Sequence, residues 1–376
     1  MEVIPHHPLI NVTQDTMKKV RQLYGIDDVE RIRESLNTIE DWLRKQPHLA
    51  NAAKYLSQTM LERVFIIAKG SVEGTKNRLE RMLTSRGMMP DLSMHRSMDE
   101  FEAQCDVVYY VPLPKLHPVD QSRVMVTQFV TDKLDPFSLL SYFRYCFMLG
   151  EYRLNFDYSA AERFIIDMKN INVGLLSKVN PVTVKKAEVL CTEGFGTKIK
   201  GIHILNATAF VDKLIFILKQ ALREKVASRI HVHNTFEDLQ KHIPKEILPK
   251  EYGGDEESCA ELSEQWRKIL RSEQAQQIIK ETDKLVSDES KRQTAKFNEE
   301  YMGMPGSFRT LFVSLRVSLR IIGCIPVTVV PRFCSSIEIL IYYSIYKNIK
   351  ASYWFYKQHS YCNPNKMMYV ILFGLQ

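Results

Sequence analysis

The 376-residue chain lacks the common signatures of catalysis and cofactor binding. It has no Gly-x-Ser-x-Gly nucleophile elbow, no Gly-x-x-x-x-Gly-Lys-[Ser/Thr] phosphate loop and no Gly-x-Gly-x-x-Gly turn. None of its seven cysteines sits in a phosphate-cradling loop that ends in arginine, and none forms a Cys-x-x-Cys pair. This excludes a zinc cluster of the usual spacing and argues for reduced thiols over a disulfide framework. The first residues, MEVIPHHPLINVTQDTMKK, contain no apolar core of signal-peptide length. No uninterrupted apolar run reaches the roughly 18–20 residues of a membrane span. The net charge of +7 is set by 51 basic and 44 acidic residues. That excess is too small and too mixed for a nucleic-acid binder, but it suits weak attraction to an anionic surface. The expectation is a cytoplasmic monomer with no nucleic-acid partner, no metal and no cofactor.

A hydrophobic fraction of 45% and a charged fraction of 25% are enough for a real core. Up to about residue 88 the pattern is helical: Ile32, Leu36, Ile39, Trp42 and Leu43 recur at helical spacing until Pro47. From about residue 90 strands alternate with helices. CDVVYYVPLP, SRVMVTQFV, RFIIDM, KIKGIHIL and RIHVH read as strands, and PFSLLSYFRYCFMLGEY, PVTVKKAEVLCTEGF and TFEDLQKHI read as helices. The fold class is therefore α/β, a helical domain over 1–88 followed by an α/β domain with a mostly parallel sheet over 89–256. The polar helical segment over 257–314 is expected to wrap the surface.

The stretch from Lys198 to Asn234 is the most informative. A strand turns sharply into a long apolar helix that cations keep interrupting. Phe210, Leu214, Ile217 and Ala221 fall on one helical face with Leu218 at its edge, and Lys219 and Arg223 fall opposite. Lys225 and Arg229 fit that opposite face only if the helix breaks near Gln220. Two readings are open: an amphipathic helix that covers the sheet, or a lid whose apolar face closes a cavity while the cations touch anionic headgroups. The strand pair His231 and His233 reads as strand-end polar residues, because no third metal ligand is near in sequence.

KIKGIHILNATAF, KQALREKVASRIHVH and LQKHIPKEILPKEYGG, in that order and spacing, resemble the CRAL-TRIO lipid-binding family, in the branch of alpha-tocopherol transfer protein and cellular retinaldehyde-binding protein. GMPGSFRTL is similar to the tail of insect members. The resemblance implies a non-enzymatic protein that binds and transfers a small lipophilic ligand, retinoid-, tocopherol- or carotenoid-like, in a cavity between the sheet and a gate helix. It implies phosphoinositide binding at Lys69, Lys198, Lys200, Lys219, Lys225 and Arg229, with transient, peripheral attachment to membranes. It implies a cavity wall of Phe137, Leu140, Ile166, Leu190, Cys191, Phe195, Ile202, Ile204, Phe210, Leu214, Ile217 and Leu218, residue types that also suit ordinary core. Gln220 stands where the family has proline. Leu140 and Arg144 stand where the tocopherol-binding member has small hydroxyl residues. The alternative function is a membrane-docking signalling scaffold with little ligand transfer.

Over 315–376 the composition shifts to Ile, Tyr and Cys with one acid, Glu338. This atypical hydrophobic tail reads either as a segment that touches a bilayer interface or as translation past the true final exon.

Overall fold

The computed structural model describes residues 6–207 and 211–292, which lie within one compact unit, Met1–Thr294. Phe210, the end of the expected wrap from residue 293, and the tail over 315–376 lie outside the described residues.

Helices open the chain: α1 Gln14–Gln22, α2 Val29–Lys45, α3 Ala50–Ala53, α4 Gln58–Ile67, α5 Val72–Met88, α6 Pro90–Ser93 and α7 Met98–Cys105. Their starts are written locally. Thr13, Asp28, Ser57, Ser71 and Ser97 each accept a backbone N–H of the first turn with a side-chain oxygen. Of the expected stripe, Ile32, Leu36, Ile39 and Leu43 are buried among Leu61, Phe65, Leu79 and Leu83 of α4 and α5, and Trp42 is half-buried against them. Between those helices Lys69 takes φ 58 and Gly70 φ 73. The left-handed region suits Gly70, but for a lysine it costs roughly 1–2 kcal/mol.

Strands β1 Val108–Leu116, β2 Ser122–Phe129, β3 Ala161–Asp167, β4 Ile199–Leu205 and β5 Ile230–His233 form one sheet in the order β1-β2-β3-β4-β5. β1 and β2 are antiparallel, with a register shift between Pro112 and Leu116, and the remaining pairs are parallel. The crossovers carry α8 Leu139–Arg153, α9 Gly174–Lys178, α10 Pro181–Val189 with a π-turn over Leu190–Gly194, α11 Val211–Ala221 and α12 Glu224–Ala227. After α13 Phe236–Gln240, helices α14 Cys259–Leu270 and α15 Glu273–Thr282 follow. The sparse apolar positions of α14 are core. Trp266 is fully buried with Leu262 and Leu270, and its indole N–H donates to the Pro112 carbonyl.

The break expected near Gln220 falls two residues later. Leu222 still bonds back to Leu218, then Arg223 is extended with ψ 145, and α12 begins. The buried stripe of α11 is Val211, Leu214 and Ile215, while Phe216 is 65% exposed. The expected face holds at Leu214, with Ile217, Leu218 and Ala221 half-buried against the same cluster, and Val211 and Ile215 widen it.

A charged cluster fastens the sheet to its helices. Asp157 is fully buried and accepts from Arg123 at 2.7 and 3.1 Å and from Arg153 at 2.6 and 3.1 Å. Arg153 also reaches Glu162 at 3.2 Å, and Arg63 of α4 donates Nη1 to the Arg153 carbonyl at 2.8 Å. The two guanidiniums hold the Asp157 carboxyl well below the usual range despite its burial.

Candidate functional site: an apolar cavity with a basic rim

Side chains alternate across β3, so Glu162, Phe164, Ile166 and Met168 share one face while Ile165 enters the core on the other. Over that first face lies a cavity of about 310 Å³. Its walls come from the sheet, α8, α10, the π-turn, α11 and α12, and from Arg63 and Ile67 of α4. Most of it is hydrocarbon and aromatic ring, with Arg63, Arg153, Glu162, Glu188 and Lys198 as the charged members. The hydroxyls of Thr127 and Tyr142 bond each other at 2.7 Å, and burial pushes the Cys191 thiol up to about 12, so it stays protonated.

Of the wall expected from sequence, Phe137, Ile166, Cys191, Phe195, Ile202, Leu214 and Leu218 lie on the cavity. Leu140 does not: it is 37% exposed, because α8 turns that face outward. Leu190 is buried with Met89 and Leu92 instead, since the π-turn leans on the helical layer. Ile204 is closed into the cluster of Val211, Leu214 and Ile215, and Ile217 packs at its margin. Arg144 is also outside the cavity; it pairs with Glu100 at 2.8 Å and bonds the carbonyls of Asp91, Met94 and His95.

Lys198 belongs to both the wall and the surface. Its ammonium donates to the Tyr24 hydroxyl at 2.9 Å and lies 4.1 Å from that ring's centroid. Burial, then the charges of Arg78, Lys69 and Lys200, push it down to about 8. This shared field places four cations from three segments in one neighbourhood. Arg78 was missed by sequence reasoning. Its half-buried guanidinium stands where a side chain on Gly196 would begin, and Gly196 takes φ 66. Lys69 and Lys200 are exposed and make no ion pair with any described residue. Arg229 is turned to the Ile199 carbonyl. Lys219 and Lys225 are exposed on α11 and α12.

His231 and His233 are not an isolated pair. They stack with His203 and His242 at ring-centroid distances of 5.1–6.4 Å, and Nδ1 of His203 lies 2.9 Å from Nε2 of His233. No group of three ligands suited to a metal occurs among the described residues. Burial, then the neighbouring imidazole of His233, pushes His203 down to about 3. In the unfolded chain it takes a proton near pH 6.5; in the folded protein it stays neutral to much lower pH. Its contribution to stability is therefore complete above pH 6.5 and falls as pH drops from there towards 3. At pH 5 the expected loss is about 2 kcal/mol. The thermal midpoint should fall between pH 7 and pH 5, above the range where the carboxylates titrate. His203→Asn should flatten that slope, and an unchanged slope in a folded variant would refute the assignment.

Residues 101–254 match the family described as CRAL/TRIO domain. The chain carries a CRAL/TRIO domain. Among the described residues, every wall position except Arg63 and Ile67 falls inside it. Among curated proteins, the mouse (Mus musculus) "Alpha-tocopherol transfer protein-like" is 32% identical over 108 residues, 28% of this chain and 31% of that protein. The Homo sapiens "Clavesin-2" is 33% identical over 91 residues, 24% of this chain and 28% of that protein. The matches thus span about a third of these relatives or less. The solved "Crystal structure of Sfh5" aligns with a TM-score of 0.41 at 14% identity, over 68% of this chain and 93% of that chain. Among the described residues, no helix is long and apolar enough to cross a membrane.

Proposed function

We propose that this protein binds a small lipophilic ligand in the CRAL/TRIO cavity and transfers it, without catalysis, between membranes whose anionic headgroups dock at the basic rim. The observation that carries the reading is Lys198, one side chain shared by an apolar cavity and a cluster of cations. Burying ligand hydrocarbon would supply binding energy at roughly 25 cal/mol per Å². A retinoid, tocopherol or carotenoid-like molecule fits the chemistry of the wall, and the curated relatives named as tocopherol transfer-like favour that class. α11 and α12 would serve as the movable wall. A phosphoinositide headgroup bound at Lys69, Arg78, Lys198 and Lys200 would bias that wall towards release.

Native mass spectrometry of the purified protein tests the reading. A retained or acquired lipid is expected. A protein that neither retains a lipid nor takes up a neutral hydrophobic probe would favour the membrane-docking scaffold.

Lys69 gives a sharper test of the rim. Its left-handed backbone favours glycine, so Lys69→Gly should raise the thermal midpoint. Combined with Lys200→Ala it should weaken binding to phosphoinositide-containing vesicles roughly thirtyfold at low salt. Lys219→Ala with Lys225→Ala, measured in parallel by co-sedimentation, reports whether α11 and α12 contribute. Unaltered sedimentation of all variants would sink the headgroup reading.

A further inference from the structure

We infer that the ligand carries a single carboxylate, the head of one long-chain or polyene acid, seated against Arg63. The inference rests on the cavity being the ligand site, as proposed above, and adds the class of ligand.

Arg63 is more than nine-tenths buried on the cavity wall. Among the described residues its five N–H donors make one hydrogen bond, from Nη1 to the Arg153 carbonyl, and its Nε has no partner. No carboxylate among the described residues forms an ion pair with it. The acids nearby are already committed. Asp157 is held by Arg123 and Arg153, and Glu162 by Arg153. Glu188, further along the wall, pairs with Lys185 and Arg223. Arg63, Arg123 and Arg153 therefore face two carboxylates, and one buried positive charge is left over. Burial pushes the Arg63 guanidinium down to about 10, so it remains charged at neutral pH.

An uncompensated buried cation with unmade hydrogen bonds is costly. A carboxylate removes both costs at once, because it accepts two N–H bonds in the geometry of the guanidinium fork. Lys198, on the same wall and without a carboxylate partner among the described residues, adds to the positive field. Apart from Arg153, Glu162, Glu188 and a few hydroxyls the rest of the wall is apolar, and about 310 Å³ lies at the low end of ligand pockets. That suits one hydrocarbon chain or ring system and not two acyl chains.

The test uses the wild-type protein with Nile red, a neutral probe, and three competitors of equal chain length: oleic acid, methyl oleate and oleyl alcohol. At pH 7.5 the acid should displace the probe at about ten- to a hundredfold lower concentration than the ester or the alcohol. Arg63→Met should erase that preference while it still binds the probe. If Arg63→Met does not fold, the wild-type ranking decides. Equal displacement by acid, ester and alcohol would overturn the carboxylate and leave the lipophilic cavity standing. A full acid preference in folded Arg63→Met would overturn the seat at Arg63. Failure of the wild type to take up any Nile red would defeat the cavity reading itself.

Discussion

Replacing Leu214 and Leu218 with aspartate is expected to abolish uptake of a neutral hydrophobic probe while the protein still melts cooperatively. The two residues sit one turn apart on α11, and both line the cavity. Leu222, a further turn along, continues the row. Nothing in that row can pair a carboxylate. Two carboxylates there exceed the one surplus cation at Arg63, so at least one must be desolvated against ring and hydrocarbon or draw water into the cavity, and the penalty is several kcal/mol per ion. Probe affinity should drop at least a hundredfold, to order-of-magnitude accuracy. The control is Phe216→Asp on the same helix. Phe216 is 65% exposed, so that change should leave uptake within about threefold. Equal loss in both variants, or no loss in either, would show that α11 is not a cavity wall.

The second large effect is on stability. Asp157→Asn keeps the shape of the side chain and removes the charge that Arg123 and Arg153 share. Both guanidiniums are buried, and Arg123 also donates to the carbonyls of Leu113 and Pro114. Removing one partner of such a cluster typically costs about 3–5 kcal/mol, because the remaining charges stay buried without compensation. The chemical-denaturation midpoint should shift down with little change in slope. A further consequence separates this loss from simple packing damage. Arg63 and its neighbours would then face one carboxylate fewer, so a folded Asp157→Asn protein should bind an anionic ligand no more weakly than wild type. A loss below about 1 kcal/mol would mean the cluster is wetter than its geometry implies.

Periodicity and turn chemistry carried most of the fold. The helical stripe through Ile32 and Leu43, the proline-started α10 and the alternation of β3 all follow from local residue choices, and the α/β class follows from their order. The cavity was less legible because apolar side chains look alike in core and in cavity wall. Leu190 and Cys191 are neighbours in sequence, yet one is sealed by Met89 and Leu92 and the other faces the void. Only the packing of the opposite element decides between them. On α11 the expected face holds at Leu214 and Leu218, while Val211 and Ile215 widen it beyond the face the wheel marks. Arg78 gave no signal, since it reads as one more surface arginine until the turn at Gly196 brings Lys198 beside it. Arg63 did give one. A Glu-Arg pair inside the otherwise apolar run MLERVFII marks charges that the fold must bury, and Glu62 is indeed 1% exposed beside Arg21 and Tyr158.

The two borders of the sheet differ in sequence but reach the same outcome. β1 carries Pro112 and Pro114, which remove backbone donors, and its register slips between Pro112 and Leu116. β5 is four residues long and places two imidazoles on its length. Each device makes a strand border a poor template for a foreign strand. A protein whose interior includes an open apolar space is at risk when it is partly unfolded and crowded. Blunted borders leave that exposed grease without a ladder to propagate along, so chains that come together should form amorphous, reversible clusters in preference to ordered fibrils.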